Sequence, residues 1–517
     1  MNETRRVLCV LIAATGLLSS VAPAQTFRTD DPIIRRMWSE GIEHSQTERL
    51  AQALMDSIGP RLSGSPGFTA AADWLLARYG SWGIEARKEQ YGTWRGWRQG
   101  AVHVDLVAPR VQTLVAHLLA WSPGTGEEPV VADVVAVPDF PSDEAARAWL
   151  PSVRGKIVLA SAPEPTCREP QAFERLARPT TFGQWQAERD SLQQSWRRRL
   201  SRLDSAHGQM EEAGAVALLT TRWSLAWGAN KIFDARTQRV PSLDLSCEDY
   251  GLVYRLTINE QGTRVRIAAQ AESLGTVPMF NVIARLEGAE LPNEYVVLSA
   301  HLDSWAGATG TTDNGTGTIT MLEAMRILHA AYPRPRRTIL VGHWGGEEQG
   351  AIGSRSFTED HPEVLDDLQV LLNQDNGTWR IEYMETQGFS KAGASLARWI
   401  AQVPPEIADG IELDFPGPQE NLGSDHSSFL CHQVPAFRIQ SNYPDYRQYT
   451  WHTNLDTFDK IVFDDLKNNA TLAAMLAYAA SEDPERVPRD RSILPPDPRS
   501  GAPREWLRCA PARRAWQ

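Results

Sequence analysis

The sequence predicts an α/β fold: a three-layer αβα sandwich around a mixed, mostly parallel sheet, interrupted by an inserted β-rich module. Three observations lead there. From Asn281 onward, short apolar runs alternate with helical patterns, as in chains that build parallel sheets. The chain has 517 residues, more than one hydrophobic core usually organises. Between residues 122 and 273 the texture changes to turn-rich sequence with brief Val-rich runs.

The elements follow in order. Arg5 and Arg6 precede an apolar run from Val7 to Leu18, and Val21-Ala22-Pro23-Ala24 supplies small residues for a peptidase, so residues 1–24 read as a signal peptide cleaved before Gln25. This implies a secreted or periplasmic protein. Leu50, Leu54 and Ile58 give helical spacing over 46–58, stopped by Gly59-Pro60, and a second helix is expected from Phe68 to Tyr79. In the insert, strands are expected at Val130–Val137, Lys156–Ala160, Ala215–Leu219, Pro241–Tyr250 and Thr263–Ala268, with long exposed helices between Pro170 and Glu212. The main domain, 25–121 with 274–482, resumes with strands at Tyr295–Leu298, Thr338–Val341, Leu368–Leu372 and Val434–Ile439 and a helix over Gly315–Tyr332. Residues 483–517 form a Pro- and Arg-rich tail expected to be irregular.

A net charge of -12 argues against a nucleic-acid partner, since phosphate binding wants a basic surface. Past the signal no stretch approaches the length of a membrane span. Cys9 lies inside the signal. Of the three full pairings open to Cys167, Cys247, Cys431 and Cys509, a Cys167–Cys247 bridge is preferred because both fall in the insert.

Five short motifs carry the chemistry, most of them where strands end, the place where open α/β sheets bind ligands. In His301-Leu302-Asp303, residues two apart on an extended chain share a face, so Asp303 can orient the His301 ring. Asp313, in Thr312-Asp313-Asn314-Gly315, sits on a Gly-rich turn, where a carboxylate can approach two metals; alone it would be a helix cap. Glu347 and Glu348 are flanked by glycines after an apolar strand, a poor place for a solvated pair; one can bind metal while the other takes a proton. Asp375, in Asn373-Gln374-Asp375-Asn376, ends a strand, and His452 lies in a polar loop, Trp451 to Thr457. Two imidazoles and three carboxylates are a donor set that zinc accepts, and a bridging carboxylate can hold a metal pair. Which glutamate binds and which takes the proton stays open on this reading.

The runs SAHLDSW, TTDNGTG, GGEEQG, NQDNG and YTWHTNLDT resemble, in order, those of the M28 family of zinc peptidases, in its carboxypeptidase Q-like branch. The likeness covers most of residues 46–480 and takes in IGPRLSGSPG and GSDHSSF, and the insert, with RGKIVLA and EEAGAVALL, looks like a protease-associated domain. The resemblance implies a zinc exopeptidase fold, two Zn2+ per chain and a small peptide substrate. It implies that His301 and Asp375 bind one ion, that Glu348 and His452 bind the other, and that Asp313 bridges both. Glu347 would be the general base, Asp303 would orient His301, and a homodimer would fit the branch. Some relatives place a tyrosine near the second His ligand to steady the oxyanion; here the preceding residue is Trp451, leaving His426 or Tyr443 to meet the substrate. Two alternatives share the scaffold: a glutaminyl cyclase-like acyltransferase, generally with one zinc, and a non-catalytic receptor-like homologue. The complete ligand set argues against both, and no G-x-S-x-G elbow supports a serine hydrolase.

Overall fold

The computed structural model describes residues 29–516 apart from 376, 418, 420–422, 495 and 497–499. The expected signal peptide, its cleavage point, Cys9 and Asn376 therefore lie outside the described residues.

Strands Leu291–His301, Arg337–Trp344, Leu368–Asn373 and Ala436–Ser441 run parallel. Ile381–Glu385 joins one side antiparallel and carries Glu412–Asp414 parallel beyond it; Arg264–Leu286 joins the other side antiparallel. The parallel strands read as unbroken apolar runs because both faces are covered. All eight residues of Arg337–Trp344 are buried. Ile339 and Val341 pack with Ile319, Leu322 and Leu472 from helices Thr316–Ala331 and Phe463–Glu482. Leu340 turns the other way, onto Phe357 and Phe429 of Ile352–Asp360 and His426–Leu430. Alternate residues thus feed two helical layers, giving the αβα sandwich, and each buried apolar side chain contributes roughly 1.5–3 kcal/mol.

Local signals set helix ends. Ser65 Oγ accepts from Phe68 N–H at 3.2 Å, Pro66 opens Pro66–Trp82, and Gly83 closes it at φ +78°.

Glu85–Ala108 pairs antiparallel with Arg264–Leu286 along almost its whole length, forming a long ribbon out of the main sheet. The expected boundary at 273/274 falls inside that strand. Beyond the ribbon lie parallel strands Val130–Ala136, Ile157–Leu159, Ala217–Thr220 and Ser242–Leu245. The strand expected over Pro241–Tyr250 is short: Ser246 Oγ accepts from Asp249 N–H at 3.2 Å and starts helix Cys247–Ile258. Of the long helices expected there, only Pro179–Ser201 is long; Pro170–Leu176 and Ala206–Glu212 have 7 residues each. Among the described residues no helix is long and apolar enough to cross a membrane.

Cys167 pairs with Cys247, the bridge favoured from sequence, and Cys431 with Cys509. The second bridge ties down the tail, whose Trp516 meets Trp94 edge-on at 5.2 Å while Arg95 lies 3.8 Å from the Trp516 ring centre. The bridged residues are 78 apart, so opening this loop with Cys431→Ser and Cys509→Ser lowers stability by about 4 kcal/mol on the chain-entropy argument. Urea unfolding of the oxidised wild type and the double variant measures this; a loss under ~1 kcal/mol would mean the tail adds little.

Candidate metal centre

The parallel strands deliver their carboxyl ends to one rim. His301 is the last residue of Leu291–His301, and Asp375 follows Leu368–Asn373. Glu347 and Glu348 follow Arg337–Trp344, and Asp313 stands on the turn Thr311–Gly315 before the next helix. The five expected ligands meet there: Asp313, Glu348, Asp375 and His452 line one cleft, and buried His301 touches two of them. His301 Nε2 lies 3.3 Å from Asp313 Oδ1 and 3.2 Å from Asp375 Oδ1. His452 Nε2 lies 3.1 Å from Asp313 Oδ2 and 2.9 Å from Glu348 Oε2. His301, Asp313 and Asp375 thus form one group and Asp313, Glu348 and His452 another, the donor atoms within each lying inside 4.8 Å of one another. Asp313 belongs to both, one oxygen to each.

These residues fit zinc. All donors are nitrogen or oxygen. Three carboxylates held this close repel unless cations stand between them. Glu348 Oε1 is buried with no hydrogen-bond partner among the described residues, an acceptor that an ion would satisfy.

Other groups hold the ligands in place. His301 Nδ1 lies 3.0 Å from the Asp303 main-chain oxygen and 3.8 Å from the Asp303 carboxylate. The sequence expectation gave the ring to the carboxylate; the nearer partner is the carbonyl. The carboxylate accepts from Glu347 N–H at 3.1 Å, Glu348 N–H at 3.3 Å and the Ser63 hydroxyl at 3.2 Å. Asp303 therefore sets the glutamate loop as well as facing His301. Asp456, which sequence reasoning passed over, does the same for Asp313. It accepts from Thr312 N–H and Thr312 Oγ1, both at 2.8 Å, and from Asp313 N–H at 3.1 Å. Burial pushes the Asp456 carboxyl up to about 7.

Arg61, in the IGPRLSGSPG run, is fully buried. It donates to the carbonyls of Leu302 at 2.8 Å and of Thr309 and Gly310 at 2.7 Å, bracing the loop between Asp303 and Asp313. Desolvation pulls it down to about 10. Arg61→Met leaves those carbonyls unpaired and lowers stability by about 3–5 kcal/mol. Denaturant midpoints of zinc-free wild type and variant measure this, and a change below ~1 kcal/mol would contradict the bracing role.

Glu347 lines a cleft of about 720 Å³ with Asp313, Glu348, Asp375, Tyr446 and Arg447. Burial raises its carboxyl well above the usual range, with Asp375, Asp425 and Glu348 adding and His301 opposing. Tyr443 also lines the cleft, its hydroxyl 3.0 Å from Thr450 Oγ1 and pushed up to about 12 by burial. His426, expected to meet the substrate, is fully buried at the start of its helix and is not among the side chains lining the cleft, so burial removes it from that role. Tyr446 has the cleft position instead, and burial with the metal-site carboxylates holds its hydroxyl well above the ordinary value.

The segment 222–233 grips the loop carrying His452. Asn230 N–H donates to Asn454 Oδ1 at 2.7 Å, Ile232 N–H to the His452 carbonyl at 2.9 Å, and Ser224 Oγ to the Gln448 carbonyl at 2.6 Å. Phe233 meets the His452 ring edge-on at 5.1 Å, and the Trp451 ring stacks on it at 3.9 Å. Lys231 lies among cations: burial first, then Arg447 and Arg222, pull it down to about 8.

Comparison with known proteins gives a family match, relatives and similar folds. Residues 281–477 match peptidase family M28. Carboxypeptidase Q of Rattus norvegicus is 24% identical over 449 residues, covering 86% of each chain. Among solved structures, a peptidase M28 precursor from Shewanella amazonensis SB2B superposes with a TM-score of 0.64 at 22% identity, covering 90% of this chain and 98% of the other. A zinc aminopeptidase from Bacillus subtilis gives 0.54 at 18% identity, covering 86% and 96%.

Proposed function

We propose, from the match of residues 281–477 to peptidase family M28 and the likeness to carboxypeptidase Q and a zinc aminopeptidase, that the chain is a zinc metallopeptidase, an exopeptidase using two zinc ions on short peptides. The observation that carries this is the sharing of Asp313 between two three-residue ligand groups. In this reading His301 and Asp375 hold one ion, Glu348 and His452 the other, and Asp313 both. The second group favours hydrolysis with two ions over a single-ion acyltransferase. The signal-like N-terminus supports export to the periplasm or beyond, and residues 122–273 are taken as a protease-associated-like domain.

Zinc at this place would acidify a water and polarise the scissile carbonyl. Glu347 takes a proton from the attacking water at a carboxylate oxygen and returns it to the leaving amine. Its burial favours a proton-holding carboxylate, and Asp303, by accepting from the Glu347 N–H, fixes the backbone from which it acts. The Tyr446 hydroxyl lies on the cleft wall and can donate to the oxygen that gains charge.

The test is a panel of short peptides assayed before and after chelation. Turnover should vanish with the metal and return on adding zinc. Turnover that survives complete zinc removal would overturn the reading.

A further inference from the structure

The inserted module holds a second cavity, of about 600 Å³, that shares no lining residue with the metal cleft. Strands Ile157–Leu159, Ala217–Thr220 and Ser242–Leu245 lie side by side and parallel. Ala160, Ser161, Thr220, Thr221 and Asp244 put the cavity at their carboxyl ends, where open parallel sheets bind ligands. Its volume is that of a small-molecule site.

The lining is charged, and most of its carboxylates are already engaged. Glu164 Oε2 lies 2.7 Å from Arg189 Nε. Asp244 accepts from the Thr220 hydroxyl at 2.8 Å, from the Arg222 N–H at 3.1 Å and from the Asn230 amide. Burial raises its carboxyl to about 6. Asp234 faces Arg95 at 3.8 Å. Asp190 is exposed on helix Pro179–Ser201, where exposed Arg197 balances its charge. Arg222 and Arg236 are left, and neither meets a carboxylate within ion-pair distance among the described residues. Their fields overlap: after burial, Arg236 and then Arg222 hold the His207 ring down at about 4. Phe233 holds Arg222 against the wall, the guanidinium carbon 4.5 Å from its ring centre. Two like charges on one cavity repel, and an anion between them relieves this.

We propose, independently of the peptidase reading, that this cavity binds a phosphate group, free or borne on a small organic body, between Arg222 and Arg236. One guanidinium meets two oxygens of an oxyanion in parallel, so two of them call for more oxygens than a carboxylate has. A phosphate monoester offers three. Trp196 and Phe233 also line the cavity and give an organic body an aromatic wall.

Calorimetric titration of the zinc-loaded full chain with phenyl phosphate, inorganic phosphate, benzoate and phenol tests this. Phenyl phosphate binds with a Kd of roughly 1 mM or tighter, benzoate about tenfold more weakly, and phenol gives no heat. Phenyl phosphate bound more tightly than inorganic phosphate identifies an ester as the ligand, and equal affinity identifies the free ion. Arg222→Gln and Arg236→Gln each weaken phenyl phosphate by about tenfold, while Arg222→Lys keeps part of the affinity. Both arginines are exposed, so the variants keep the wild-type melting temperature and zinc content. Affinity unchanged in both glutamine variants puts the phosphate elsewhere, the zinc ions included, and overturns the proposal. So does benzoate or phenol binding as tightly as phenyl phosphate, or no binding of either phosphate.

Discussion

Glu347→Gln keeps the zinc content of the wild type and lowers kcat by about 10³–10⁴, near the upper end of what a positioned general base supplies. Its neighbour Glu348 holds the expected ligand position against His452, at 2.9 Å, so losing the Glu347 charge removes no ligand. The amide preserves shape and leaves the loop anchored, because Asp303 accepts from the Glu347 and Glu348 main chain rather than from their side chains. KM should change little. Stopped assays with elemental analysis of the same sample decide this. A fall in kcat of less than about tenfold with full zinc would take the proton-carrying role away from Glu347.

Asp313→Ala has the broader effect: both ions are lost, not one. Its two oxygens serve different groups, Oδ1 facing His301 at 3.3 Å and Oδ2 facing His452 at 3.1 Å. Without it each ion keeps only two protein ligands, fewer than the three that catalytic zinc sites usually have. Turnover should drop to background. Stability supplies a second readout. At free zinc about 100-fold above Kd, the wild type gains about 2.7 kcal/mol from each ion, and the variant gains almost none. Thermal melts with and without zinc measure this. A variant that still binds two ions and melts with the wild-type zinc shift would show that Asp313 does not join the groups.

The main sheet was legible because its strands are buried on both faces, so runs such as Tyr295–Leu298 and Thr338–Val341 are continuous and apolar. Motifs following such strands had to land on one rim, which is why His301, Glu347, Glu348 and Asp375 could be grouped from sequence. The Glu85–Ala108 ribbon was not legible. It is half-exposed, interrupted by Gly92, Gly96 and Gly100, and rich in Arg and Trp, so no two-residue alternation marks it. Its pairing with residues 264–286, from Glu85 opposite Arg285 to Ala108 opposite Arg264, is a contact between distant stretches of chain that no local pattern encodes. The same holds for the hydrogen bonds of Asn230 and Ile232 to the His452 loop. Asp456 had a local signal: a carboxylate in the polar loop just after His452. What hid it was function through backbone N–H groups, which a search for ligands does not seek. His426 misled for a related reason. A histidine between Asp425 and Ser427 looks polar, yet the short helix His426–Leu430 turns it into the interior.

The most direct measurement is a crystal structure of zinc-soaked protein with anomalous scattering recorded at the zinc edge. The account predicts two peaks about 3.5–4 Å apart, one between His301 and Asp375 and one between Glu348 and His452, with Asp313 touching both. A single peak, or peaks away from Asp313, would contradict it.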